Sequence, residues 1–302
     1  MAAEQELTSP LIHPISSTQR WFVFLKERFP LGTHILLIGG FAVSGAFLSG
    51  WDKNTEGVIM ALIGFFLFFV ELRIMDELKD YKKDLSAHPE RPLPRGLIQL
   101  GEAREMVRTL LNSMFGFSVV LVLVCNLLSG LLFFCITLYL KLMYREFYLG
   151  DRLGKYPFFY AFTHQLILFP LCFFTSAVHH PAMVFDEDGF AYAIATFGAF
   201  FAYELCRKLD PKAPLILKNY ATHYGPRKTV LVATLLLGTA AYGAFHLNAR
   251  FLWGIEVLTT ASLIVYLRDS RKFKTVETFA GLSLVLHVWA PAIHFLLKKF
   301  IH

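Results

Sequence analysis

"GVIMALIGFFLFFVELRIMDELKDYKKDLSAHPERPLPRG" (Gly57–Gly96) decides how this chain is read. It begins as an unbroken apolar run of the kind a helix needs to cross hydrocarbon. It then fills abruptly with carboxylates and bases and closes on Pro89, Pro92 and Pro94. A buried soluble helix has no reason to end this way. A membrane helix that runs on into water does.

The rest of the 302 residues follow the first half of that stretch. Hydrophobic residues make up 55% of the chain and mean hydropathy is +0.50, too apolar for a soluble domain of this length. Nine runs approach span length, roughly 33–51, 57–75, 108–128, 130–148, 157–180, 188–206, 229–247, 250–267 and 276–297. Only Leu127–Gly130 divides the third from the fourth. The runs are continuous rather than alternating, so barrel strands are not expected. The expected fold is all-α, a polytopic membrane bundle of about nine helices.

Charge gives the orientation. Twenty-five of the 29 Lys and Arg fall on the side that holds the N-terminus. Only Lys53, Arg250, Lys298 and Lys299 fall on the other. The bias places the N-terminus and the long charged loops in the cytoplasm. Residues 1–20, polar and holding Pro10 and Pro14, are expected as a flexible cytoplasmic tail, and 21–302 as one transmembrane domain. Cys125, Cys135, Cys172 and Cys206 lie in or beside apolar runs without CxxC spacing and read as packing residues. No nucleic-acid partner is expected.

Asp76, Asp80 and Asp84 are spaced i, i+4, i+8, with Glu77 beside them. On a continuing helix they form one stripe. Three aligned carboxylates repel one another unless cations sit between them. Hard divalent ions such as Mg²⁺ take oxygen ligands and bridge to phosphate oxygens. Arg73, Lys79, Lys82 and Lys83 surround the stripe, and Arg91 and Arg95 follow on the proline turn. Arginine suits bidentate phosphate recognition. The pattern fits a metal–diphosphate site. A solvated helix end laced with i,i+4 pairs is the alternative.

"DELKDYKKD" (Asp76–Asp84) resembles the first aspartate-rich motif of the UbiA superfamily of intramembrane prenyltransferases, commonly N-D-x-x-D-x-x-x-D. "RPLPRG" (Arg91–Gly96) resembles the family's R-P-L-P-S-G turn. Asp76 and Glu77 stand where the family has Asn and Asp, and both keep oxygen ligands. The resemblance covers nearly the whole chain, since a second charged loop, Tyr203–Thr229, follows the sixth span as the family's second motif does. The two loops lie four spans apart and share an order of acid, bases, proline and glycine, which reads as an internal duplication.

The second motif departs from the family's D-x-x-x-D. Glu204 supplies the first acid, but Lys208 stands four residues on. Asp210 is the next acid, about 240° around a helix from Glu204. Lys208 and Arg207 either replace a second metal as counter-charges for diphosphate, or Glu204 and Lys208 form an ordinary i,i+4 pair. Lys141 and Arg145, ending the fourth span, resemble by position the family's diphosphate contacts; snorkelling bases are the alternative. Lys218, Tyr220 and His223 are weaker candidates. Glu256, inside the eighth span, is expected to pair with Arg250, and His164, His287 and His294 to be core residues.

The resemblance implies an enzyme that ionises an isoprenyl diphosphate with Mg²⁺ and passes the prenyl chain to an aromatic or lipid acceptor. Expected metal ligands are Asp76, Glu77, Asp80, Asp84, Glu204 and Asp210. Asp76, Asp80, Asp84 and Glu204 carry the catalytic role, and Arg91, Lys141, Arg145, Arg207 and Lys208 hold the diphosphate. Membrane lipids surround it, and a bacterial inner membrane is the expected location. A terpene cyclase that needs no acceptor is one alternative, and a transporter or non-catalytic lipid-binding protein another. The acids sit at the membrane boundary rather than at the midplane where transport sites usually lie, which weighs against the last.

Overall fold

The structure, a computed structural model, describes residues 16–50, 54–214 and 220–301. Among these residues the chain is helical without strands. Among the described residues eight helices or helix pairs are long and apolar enough to cross a membrane, or nine if a bent pair near the C-terminus counts as one span. The chain is thus a polytopic helical bundle, as its apolar runs imply.

The breaks between spans have local causes. Helix α1 (Ser17–Arg28) precedes the first span, α2 (Leu31–Leu48), and Pro30 separates them. Residues 17–20, expected within a loose tail, are helical. Ser16 and Gln19 cap each other's backbone there in a reciprocal box. Residues 1–15 lie outside the described residues.

Helix α3 (Thr55–Ala87) runs 33 residues without interruption. At 1.5 Å per residue it is about 50 Å long, roughly 20 Å more than the hydrocarbon core. Its second half therefore stands clear of lipid and carries the Asp76–Asp84 motif. His88 ends it, directly before Pro89.

Helices α4 (Leu100–Val124) and α5 (Leu127–Tyr144) meet one turn earlier than the sequence indicates. Asn126 is the divider. Its side-chain oxygen accepts from the Ser129 amide at 3.0 Å, and its nitrogen donates to the Ala177 carbonyl at 2.7 Å. Leu127–Gly130 is the first turn of α5 instead of the loop.

After the short α6 (Gly150–Leu153), the fifth span consists of α7 (Pro157–Gln165) and α8 (Leu168–Ala177). Pro170 has no amide to offer the Leu166 carbonyl, which accounts for the break. Helix α9 (Glu187–Arg207) is the most deeply buried span. Tyr220–Tyr224 form the short α10, followed by α11 (Pro226–His246) and α12 (Trp253–Arg268).

The last span bends by 67° between α13 (Phe273–Val288) and α14 (Ala290–Ile301). Pro291 removes the bond back to His287, and Trp289 fixes the corner by donating from Nε1 to the Leu36 carbonyl at 2.9 Å. Beside it, the expected Glu256–Arg250 pair is not formed. Glu256 meets the buried His287 at 2.8 Å instead, and Arg250 lies over the Phe245 ring.

Glycines bring α9 and α11 into backbone contact. A Cβ on Gly243 would sit 2.5 Å from the Ala195 nitrogen, and one on Gly198 would sit 2.5 Å from the Ala240 nitrogen. Gly243→Leu is therefore expected to force the two helices apart. It should cost about 1–3 kcal/mol or more, read as a lower unfolding temperature of the detergent-solubilised protein. A variant as stable as the parent would show that this contact is slack.

Candidate active site

A hollow opens where the motif-bearing half of α3 passes the end of α5. Leu72, Met75, Asp76 and Lys79 of α3 form one wall, Leu140, Met143 and Tyr144 of α5 another, and His164 of α7 closes the side. Residues 72, 75, 76 and 79 share one helix face because they are three or four apart. Apolar residues line the wall toward the membrane, and Asp76 and Lys79 line the part toward water.

Asp76 is exposed at this hollow, and its carboxylate feels Lys79 and Arg73 only at longer range. Asp80, one turn on, is 52% exposed, with Lys83 at 3.5 Å. Arg207 of α9 lies within electrostatic range of Asp76. Charged groups at the ends of α3 and α9, far apart in sequence, are thus electrostatically coupled.

The α9 side is strongly knitted. Glu204 accepts from Arg207 at 2.6 Å and from Lys208 at 2.5 Å. Tyr220 donates to the same carboxylate at 3.3 Å, and its ring lies under the Lys208 ammonium, 5.2 Å away. Burial pushes the Tyr220 phenol above its ordinary range, and the Glu204 charge adds to that, so it stays a protonated donor. Its ring stacks on Phe158 of α7, which ties α9 to the hollow.

Other residues of the expected site are placed elsewhere. Two steps of four on, Asp84 has rotated about 80° from Asp76, because a helix turns in 3.6 residues rather than four. It is 2% exposed and closed by Arg91 at 2.7 Å. The two form an ion pair in this structure, and neither lines the hollow.

Glu77, also 2% exposed, receives Arg28 of α1 at 2.7 Å and Arg73 at 3.1 Å. Arg95 of the proline turn holds Glu27 of α1 through two bonds of 2.8 Å. Those bonds keep the Glu27 carboxyl below its ordinary range. Arg20 and Glu102 pair at the far end of the same helix. Helix α1 is thus a strap across the motif.

Asp210 turns into its own loop, accepting from the Lys212 amide at 2.9 Å. Lys141 and Arg145 are exposed, and neither lines the hollow. Lys218 lies outside the described residues. Lys79, one of the bases expected around the stripe, and His164, expected only as a core residue, enter the site, and Tyr160 joins them unannounced. Tyr160 falls between two apolar runs of phenylalanines, and nothing in its spacing marked it.

The donor set bears on a metal. Among the described residues, no three His, Cys, Asp or Glu side chains converge on one point. A preformed cage is therefore not built. Asp76 and Asp80, two accessible carboxylates one turn apart, do fit Mg²⁺, which takes one or two carboxylates and completes its shell with water and phosphate oxygens.

The UbiA prenyltransferase family model matches residues 24–289. The chain belongs to the UbiA prenyltransferase family. It is an integral, multi-pass membrane protein of a family of intramembrane prenyltransferases. Among solved structures it resembles a digeranylgeranylglyceryl phosphate synthase in membranes, with a TM-score of 0.65 at 16% identity. That likeness spans 91% of this chain and 99% of the other, and it is a likeness of fold. No curated protein is significantly similar to it in sequence.

Proposed function

We propose that this UbiA member takes the diphosphate of an isoprenyl diphosphate into the hollow between α3, α5 and α7 and transfers the prenyl chain to a lipid or aromatic acceptor. One observation carries the reading: accessible Asp76 and the cation Lys79 line one hollow, backed by apolar side chains of α3 and α5. Asp76 and Asp80 would hold Mg²⁺, which when bound neutralises charge on the leaving diphosphate.

Arg207 and Lys208 supply fixed positive charge on the opposite side, held in place by Glu204 and Tyr220. Donors already oriented need no rearrangement as the allylic C–O bond breaks. Leu72, Met75, Leu140 and Met143 keep water from the cation that forms. In this reading residues 21–302 act as one catalytic unit and the mouth opens to the cytoplasm, where the basic loops lie.

The test is mass spectrometry of products from membranes given prenyl diphosphates of several lengths, alone or with acceptors. The structural neighbour's name contains a glyceryl phosphate, so lipid acceptors come first. Pyrophosphate and a prenylated acceptor, formed only when both substrates are present, are the expected result. A cyclic hydrocarbon or alcohol formed without acceptor would assign a cyclase instead. Substrate retained without turnover would overturn both.

A further inference from the structure

Among the described residues Lys79 is the one lysine or arginine in the wall of the hollow, and its side chain is only 19% exposed. Its ammonium donates to Tyr160 Oη at 2.8 Å and to the Met143 carbonyl at 3.4 Å. Both of those partners are neutral. The carboxylate it faces most directly is Glu146 Oε1, at the long distance of 3.8 Å. Asp76, one turn back on α3, is also within electrostatic range. A cation largely removed from water is thus loosely compensated, and it faces the space assigned above to an anion.

Glu146 sits in an unusual backbone. Glu146, Phe147 and Tyr148, none of them glycine, hold φ of 50°, 53° and 57°. Each left-handed residue costs roughly 1–2 kcal/mol. Contacts to the hollow retain the turn. Tyr160 Oη lies 3.3 Å from Glu146 Oε1, and the Phe147 ring stands edge-on to Tyr139 and His164. Strain of this kind collects where a segment has two arrangements to choose between.

We propose that Lys79 is a diphosphate ligand and that Glu146 is its resting counter-ion, displaced when the substrate's phosphate oxygens enter. The proposal rests on the hollow being the diphosphate site. A phosphate group brings more charge and more acceptor oxygens than one half-exposed carboxylate, so Lys79 exchanges a long contact for short charge-assisted bonds. No covalent bond changes in the exchange. Glu146, released, lets its turn leave the left-handed region, and that relief favours the bound state.

The exchange predicts affinity changes of opposite sign for its two partners. Binding of a non-ionising prenyl thiolodiphosphate, with magnesium present, is measured by calorimetry on the purified full-length protein. Lys79→Met is expected to bind roughly 10- to 100-fold more weakly, the loss of one charged hydrogen bond. Lys79→Arg, keeping the charge, should stay within severalfold of the parent. Glu146→Gln, which removes the competitor, should bind about two- to fivefold more tightly.

General damage to the fold cannot tighten binding, so the Glu146 variant separates exchange from structural support. Parent-like affinity in Lys79→Met, or unchanged or weaker affinity in Glu146→Gln, overturns the proposal. If the parent protein itself fails to bind the analogue, the diphosphate reading of the hollow falls first and takes this exchange with it.

Discussion

Asp80→Asn is expected to lower pyrophosphate release by roughly 10²- to 10³-fold, the usual cost of losing one group that stabilises charge in the transition state. The substitution is nearly isosteric, and the parent side chain is 52% exposed. Folding should therefore be unaffected, with the unfolding temperature close to that of the parent. The pair of measurements matters. Lost activity in a stable protein assigns Asp80 to the chemistry. Turnover within tenfold of the parent would remove it from the site and leave Asp76 without a second carboxylate.

Arg91→Ala has the larger expected effect on stability. Asp84 is 2% exposed, with Arg91 at 2.7 Å, and its Oδ1 has no hydrogen-bond partner. Removing the guanidinium strands a buried carboxylate, a loss of roughly 3–5 kcal/mol. Thermal unfolding in detergent measures it. The double variant Asp84→Leu with Arg91→Met replaces the pair by apolar groups and should recover most of that loss, with turnover largely kept. If the double variant is stable yet inactive, Asp84 returns to the ligand set. If Arg91→Ala is as stable as the parent, water reaches Asp84 and the pair is not structural.

These two aspartates show what the sequence could and could not convey. Asp76 and Asp80 were legible because a carboxylate pair at i and i+4 must share a face, whatever the tertiary structure. Asp84 was assigned to the same stripe by extending that rule one step further. The drift of a 3.6-residue helix then carried it under the proline turn. The partners of Glu77 were out of reach for another reason. Arg28 comes from α1, 49 residues away, and only packing brings the two together.

The span count was legible from apolar runs. The kinks had signals as well, in Pro170, Pro291 and Asn126, but hydropathy averages over them. Lys79 could not be singled out from Lys82 and Lys83, nor Tyr160 found at all, since a lysine among lysines and a tyrosine among phenylalanines carry no mark of direction.

Helix α3 has one further consequence. Because it is one uninterrupted helix from Thr55 to Ala87, a displacement of its membrane half is carried to its carboxylates. A thicker or thinner lipid matrix that raises or lowers the buried half shifts Asp76 and Asp80 by the same distance against α9. Acyl-chain length thereby becomes a mechanical input to the reaction, without any lipid touching the carboxylates.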